Sequence, residues 1–170
     1  MPTIRARGWV AAPIDETFAF FDDPANLARL MPPLVRIRLE RIEPAPPRPG
    51  SVFEFRYGLG PIQRPWTVRL VDRVPNDRFA DETISGPMAR FDHAHLFRPG
   101  RRGGTWIEDR IDFHVGPDGL LGSVLDAAAG IVMRLTFVWR HARQRAILGR
   151  SALLPPQPRD SDQGAEARDP

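Results

Sequence analysis

The sequence contains no cysteine. That excludes disulfides, thiolate metal sites and a cysteine nucleophile together, and it fits a reducing cytoplasm, the location expected here. Lysine is also absent: all 24 basic residues are arginine, a bias that a GC-rich genome produces without functional demand. None of Ser51, Ser85, Ser123 and Ser151 sits in a G-x-S-x-G elbow, so nucleophilic catalysis has no support. No P-loop, G-x-G-x-x-G or H-E-x-x-H occurs. Residues 1–10 alternate polar and apolar side chains, so no secretory leader is expected. The most apolar long stretch, 119–139, is interrupted by Asp126 and Arg134, so no integral membrane segment is expected.

What is present suits one domain. The chain has 170 residues, 42% of them hydrophobic, enough for a single core. Its net charge is +3. The segment 155–170 sets two arginines against four carboxylates, a net of −2, which leaves +5 on residues 1–154. This basic bias is mild and lacks aromatic interleaving, so a nucleic-acid partner is not indicated, while peripheral membrane contact is compatible with it. The domain is expected over 1–154, with 155–170 a disordered polar tail.

Periodicity gives the element order. Residues 3–10 alternate as a strand, with Ile4, Ala6, Gly8 and Val10 on one face. Pro13, Asp15 and Glu16 mark a helix N-terminus, and that short helix carries Phe18 and Phe21 inward. Asp23-Pro24 breaks it, and a second short helix follows over about 25–30. Strands are then predicted near 35–42, 52–57, 66–71, 78–84, 88–98 and 105–115, separated by turns rich in proline, glycine and asparagine. A long helix is predicted over about 120–148. Leu121, Leu125, Ala128, Val132, Leu135 and Trp139 form one helical stripe, expected to face the sheet. The result is an α+β helix-grip fold: a curved antiparallel sheet of six to seven strands around a long C-terminal helix, with two short helices after the first strand. Such a sheet offers more inner surface than one helix fills, so a cavity is expected.

The last two strands carry the sharpest constellation. Phe91, His93, His95 and Phe97 share one face, and Ile107, Asp109, Ile111 and Phe113 share the facing one. Pairing Phe97 with Thr105 across the loop sets His93 opposite Asp109, close enough for an imidazole to meet a carboxylate. Two readings stand: a charge-oriented acid or base at His93, or a buried polar link that pins strand register. His93, His95 and Asp109 also have the types of a two-histidine, one-carboxylate metal set, but no metal or cofactor is assigned. His114 faces away, and His141 is expected to face solvent. The apolar wall of the cavity is expected from Phe53, Phe55, Tyr57, Trp66 and Val68, then Phe91, Ile111 and Phe113, and from Val132, Leu135 and Trp139 on the helix. Each of these aromatics also suits a core position.

Several runs resemble the SRPBCC, or START-like, superfamily. They are Pro13-x-x-x-x-Phe18-x-x-Phe21-x-Asp23-Pro24-x-Asn26-Leu27, Arg78-Phe79-Ala80-Asp81-Glu82-Thr83, Phe91-x-His93-x-His95-x-Phe97, Gly103-Gly104-Thr105 and Phe137-Val138-Trp139-Arg140. More narrowly they are similar to its polyketide cyclase/dehydrase and coenzyme-Q-binding type, over roughly 3–149. The resemblance implies a helix-grip cavity for a small hydrophobic ligand such as a lipid, quinone, polyketide or aromatic compound. It leaves open whether the chain binds or carries that ligand or acts on it as a cyclase, dehydratase or isomerase through His93 and Asp109. The oligomeric expectation is a monomer or homodimer.

Overall fold

The computed structural model describes residues 2–151. The polar segment 155–170 lies outside the described residues. Strand β1 spans Thr3–Val10; helix α1, Ile14–Asp22, and a short 3-10 turn, Pro24–Asn26, lead to α2, Leu27–Leu30. Six strands follow: β2 Val35–Glu43, β3 Val52–Leu59, β4 Ile62–Val74, β5 Arg78–Ser85, β6 Arg90–Pro99 and β7 Thr105–His114. Helix α3 spans Leu120–Ser151.

All seven strands form one antiparallel sheet in the order β1-β7-β6-β5-β4-β3-β2. The chain enters at one edge, crosses through α1 and α2, and fills the sheet back from the other edge. Tight turns make this possible. Gly60, at φ +54°, closes the β3–β4 hairpin beside Pro61, a backbone conformation that glycine adopts without strain. Bulges at Leu39/Arg41 in β2 and at two points of the β4–β5 pairing bend the sheet. Asp23 accepts a hydrogen bond from Ala25 N at 3.0 Å and so caps the 3-10 turn, which explains why the helical run breaks there.

The alternation read from sequence holds on the inner face. Phe91, His93, His95 and Phe97 of β6 are buried, as are Ile107, Asp109, Ile111 and Phe113 of β7. The register differs from the expected one by two residues. Pro99 pairs with Thr105 and His95 with Asp109, while His93 lies opposite Ile111. The cause is the loop: Gly100 to Gly104 closes on itself through a 3-10 turn, so the strands pair further out than Phe97 and Thr105. A shift of two preserves parity, so every side chain keeps its face.

Helix α3 corrects the expected stripe. Phe137, Arg140, His141, Gln144 and Leu148 are buried, with Asp126 at the start. Leu121, Leu125, Ala128, Val132, Leu135 and Trp139 are exposed. Spacing identifies which residues share a helical face; it does not decide which face turns inward. Here polar partners decide. Asp126 accepts from Val115 N and meets His114 Nδ1, both at 2.8 Å, which ties the helix start to the end of β7. Further along, α3 packs on β1 at Gly8, where an added Cβ would stand 3.1 Å from the His141 ring. The missing side chain lets the helix approach.

Candidate functional site

Asp109 sits fully buried at the middle of β7 and meets three imidazoles. Its Oδ1 lies 3.0 Å from His93 Nε2 and 2.9 Å from His95 Nδ1, and its Oδ2 lies 3.0 Å from His141 Nε2. The His95 contact is close but poorly aligned as a hydrogen bond. His141 therefore faces the interior, against expectation, because Gly8 opens the way across β1. Burial alone would raise the pKa of Asp109. The contacts from His141, His93 and His95 outweigh it and hold the carboxyl well below its usual range. The histidines shift the other way. Burial, with the neighbouring His95, pushes His93 down to about 3, and burial lowers His95. Lowered in this way, His93 is neutral and presents its Nε2–H to the ionised carboxylate. Its second nitrogen, Nδ1, then carries a lone pair and has no hydrogen-bond partner among the described residues.

Beside this cluster lies a cavity of about 400 Å³. Phe53, Phe55, Tyr57, Trp66, Val68 and Phe91 line it, as expected from the alternation of β3, β4 and β6. Tyr57 and Phe91 meet Trp66 edge-on with centroids 5.5 and 5.6 Å apart, which fixes the wall. The Trp66 indole donates to Thr83 Oγ1 at 2.9 Å. His93, His95 and Val132 also line the cavity. Asp109, Ile111 and Phe113 do not; they lie beneath the histidines in the core, because β7 runs toward the β1 edge. Leu135 and Trp139 do not either, since the rotation of α3 turns them outward.

Other lining residues were not singled out from the sequence. Phe20 and Phe21 of α1 and Leu27 and Leu30 of α2 close one end. Phe137, Met133 and Ala129 supply the helix wall, and Phe79 and Asp81 come from β5. Alternation along β5 already put Phe79 and Asp81 on one face, so that signal was readable. Arg140 had none, because its face of α3 was expected to meet solvent.

Two groups in this cavity lack hydrogen-bond partners among the described residues. Arg140 is 4% exposed, forms no hydrogen bond or ion pair among the described residues, and holds its guanidinium over the Phe137 ring, 4.7 Å from its centroid. Burial lowers its pKa, opposed by the charges of Asp109 and Asp81. Asp81 also forms no hydrogen bond among the described residues, and burial raises its pKa to about 7. A buried guanidinium without a paired carboxylate can receive an oxygen acceptor from a bound molecule. Asp81, His93 and His95 each offer one donor atom within 4.8 Å of the others, the types needed for a divalent cation. The Arg140 charge acts on the same groups and opposes a bare dication there. The arrangement suits an anionic or enolic oxygen better.

Comparison with known proteins agrees with the fold. The family model described as "Polyketide cyclase / dehydrase and lipid transport" matches residues 1–143. Among solved structures, protein CV1439 from Chromobacterium violaceum superposes with a TM-score of 0.68 at 16% identity, covering 88% of this chain and 99% of that one. Protein NE0264 from Nitrosomonas europaea gives 0.68 at 11% identity, covering 89% and 97%. The di-domain ARO/CYC StfQ from the steffimycin biosynthetic pathway gives 0.67 at 17% identity, with 89% of this chain matching 52% of that one. At these identities the likeness is one of fold. A search of curated proteins finds no match.

Proposed function

Because the chain belongs to the polyketide cyclase / dehydrase and lipid transport family, we propose that it binds or carries an apolar molecule bearing an acidic or enolic oxygen. The observation that carries this reading is Arg140, buried without a hydrogen-bond or ion-pair partner among the described residues, on the wall of a largely apolar cavity. The aromatic rings receive a chain or fused-ring body, and the guanidinium receives its oxygen in a setting where water competes poorly. Asp81 shares the cavity and, with its raised pKa, can donate a hydrogen bond while protonated. Native mass spectrometry of protein purified from its own host tests this. The expected result is a co-purifying apolar compound with a carboxyl, phenol or β-dicarbonyl group. Recovery of polar metabolites alone overturns it.

A second reading, cyclisation or dehydration of a polyketide-like substrate, rests on Asp81. A carboxyl held near neutrality beside a guanidinium can exchange a proton while Arg140 steadies an enolate. The pair His93 and Asp109 suits that work less. Asp109 lies outside the cavity, and His93 at about 3 is a weak base. Turnover of a poly-β-keto thioester by the native chain, abolished in Asp81→Asn with binding retained, supports this reading. Turnover unaffected by Asp81→Asn removes it.

A further inference from the structure

We infer that the outward face of α3 docks on an anionic lipid surface, with the helix lying along the membrane plane beside the cavity mouth. The helix is amphipathic in an inverted sense. Its buried side carries Asp126, Arg140, His141 and Gln144, while Leu121, Val124, Ile131, Leu135, Val138 and Trp139 are exposed. At 3.6 residues per turn these six fall on one continuous arc opposite the buried side. Leu135 and Val138 are 66% and 69% exposed, far above what an apolar core helix shows. From Leu120 to Ala146 the face runs about 40 Å at 1.5 Å per residue. An apolar strip of that length on a water-soluble surface marks an interaction site.

Charge selects the occupant. Between 127 and 151 the helix has no carboxylate, and Arg134, Arg143 and Arg145 are exposed beside the apolar arc. Leucine, valine and tryptophan on one arc with arginines along its edges is the pattern of a helix seated at a lipid interface, the arginines reaching phosphate. In a parallel pair a second copy would bring the same arginine rims together, and like charges in an interface oppose association, whereas anionic lipid phosphates complement the rims along the whole face. By length and composition α3 also passes as a membrane span over Leu120–Gly149. Its buried face, however, is engaged with β1 and β7 through His141, Asp109, Asp126 and His114, so it lies on the surface rather than across the bilayer. The docking stands on this face alone. Its use, passing a ligand between bilayer and cavity past Val132, which is exposed and also lines the cavity, rests on the ligand reading above.

Flotation of the full chain with unilamellar vesicles tests the docking, using phosphatidylcholine alone and mixed with phosphatidylglycerol. The expected result is binding to the anionic vesicles that falls about tenfold or more in the double variant Leu135→Asp, Val138→Asp, with the thermal midpoint kept. Val124→Asp, further up the same face, gives an independent reduction should the double variant not fold. Arg134→Gln and Arg145→Gln each weaken binding about fivefold at low salt. Wild-type protein that fails to float with anionic vesicles, or variants that float as well as wild type, overturn the proposal. So does a wild-type dimer in sedimentation that the double variant splits while vesicle binding is absent. Because no ligand enters the assay, failure here leaves the ligand reading to its own test.

Discussion

Asp109 meets three imidazoles from two elements, β6 and α3, and an acceptor so placed cannot be exchanged cheaply. Asp109→Asn keeps one oxygen but turns an N–H₂ toward imidazole N–H groups and removes the charge that holds them. The expected cost is about 2–4 kcal/mol in urea denaturation at neutral pH. The pH dependence splits by sign. His93 has a folded pKa of about 3 against an ordinary 6.5. Its contribution is complete above 6.5 and is lost as pH falls toward 3. Asp81 runs the opposite way. Its folded pKa of about 7 exceeds the ordinary 3.8, so its contribution is complete below 3.8 and lost as pH rises through 7. Asp81→Asn is therefore expected to be more stable than wild type above pH 7, by about 1–3 kcal/mol, with the gain vanishing toward pH 3.8. Denaturant midpoints across that range check it; a pH-independent difference contradicts it. The parity of β6 and β7 made His93, His95 and Asp109 legible as one face. The contact partners were less legible, because a five-residue loop can close in more than one register.

At the scale of elements, β-strand alternation was a better guide than helical spacing. A strand in a one-sided sheet has a single apolar face, so alternation names both the face and its direction. Helix α3 has two candidate faces. One is wholly apolar and points outward; the other mixes Phe137, Met133 and Leu148 with groups that only specific partners can satisfy. The partners, Asp109 and His114, lie far away in sequence, so nothing local to the helix announced them. Two truncations separate the faces. Phe137→Ala, emptying a buried site beside His93, is expected to cost about 3–4 kcal/mol. Leu135→Ala is expected to change stability by no more than about 0.5 kcal/mol, because the side chain is exposed. Thermal or chemical denaturation of both variants measures the contrast, and equal losses would place the helix rotation in error.

For the whole molecule, the order strand, short helices, six strands, long helix already fixed a sheet too large for its cover, and the cavity follows from that mismatch. Its apolar wall was readable from β3, β4 and β6. Its polar end was not, since Arg140 arrives from the helix and meets Asp81 and the histidines only through tertiary packing. In the proposed reading, Arg140 gives the cavity its preference for an acidic oxygen. Isothermal titration with a long-chain or aryl carboxylic acid and its primary amide, against wild type and Arg140→Met, tests it most directly. Methionine keeps the apolar packing and removes the charge. Wild type is expected to bind the acid about tenfold or more tightly than the amide, and Arg140→Met to bind the two alike. Equal affinity in wild type, or a preference that survives in Arg140→Met, would contradict it.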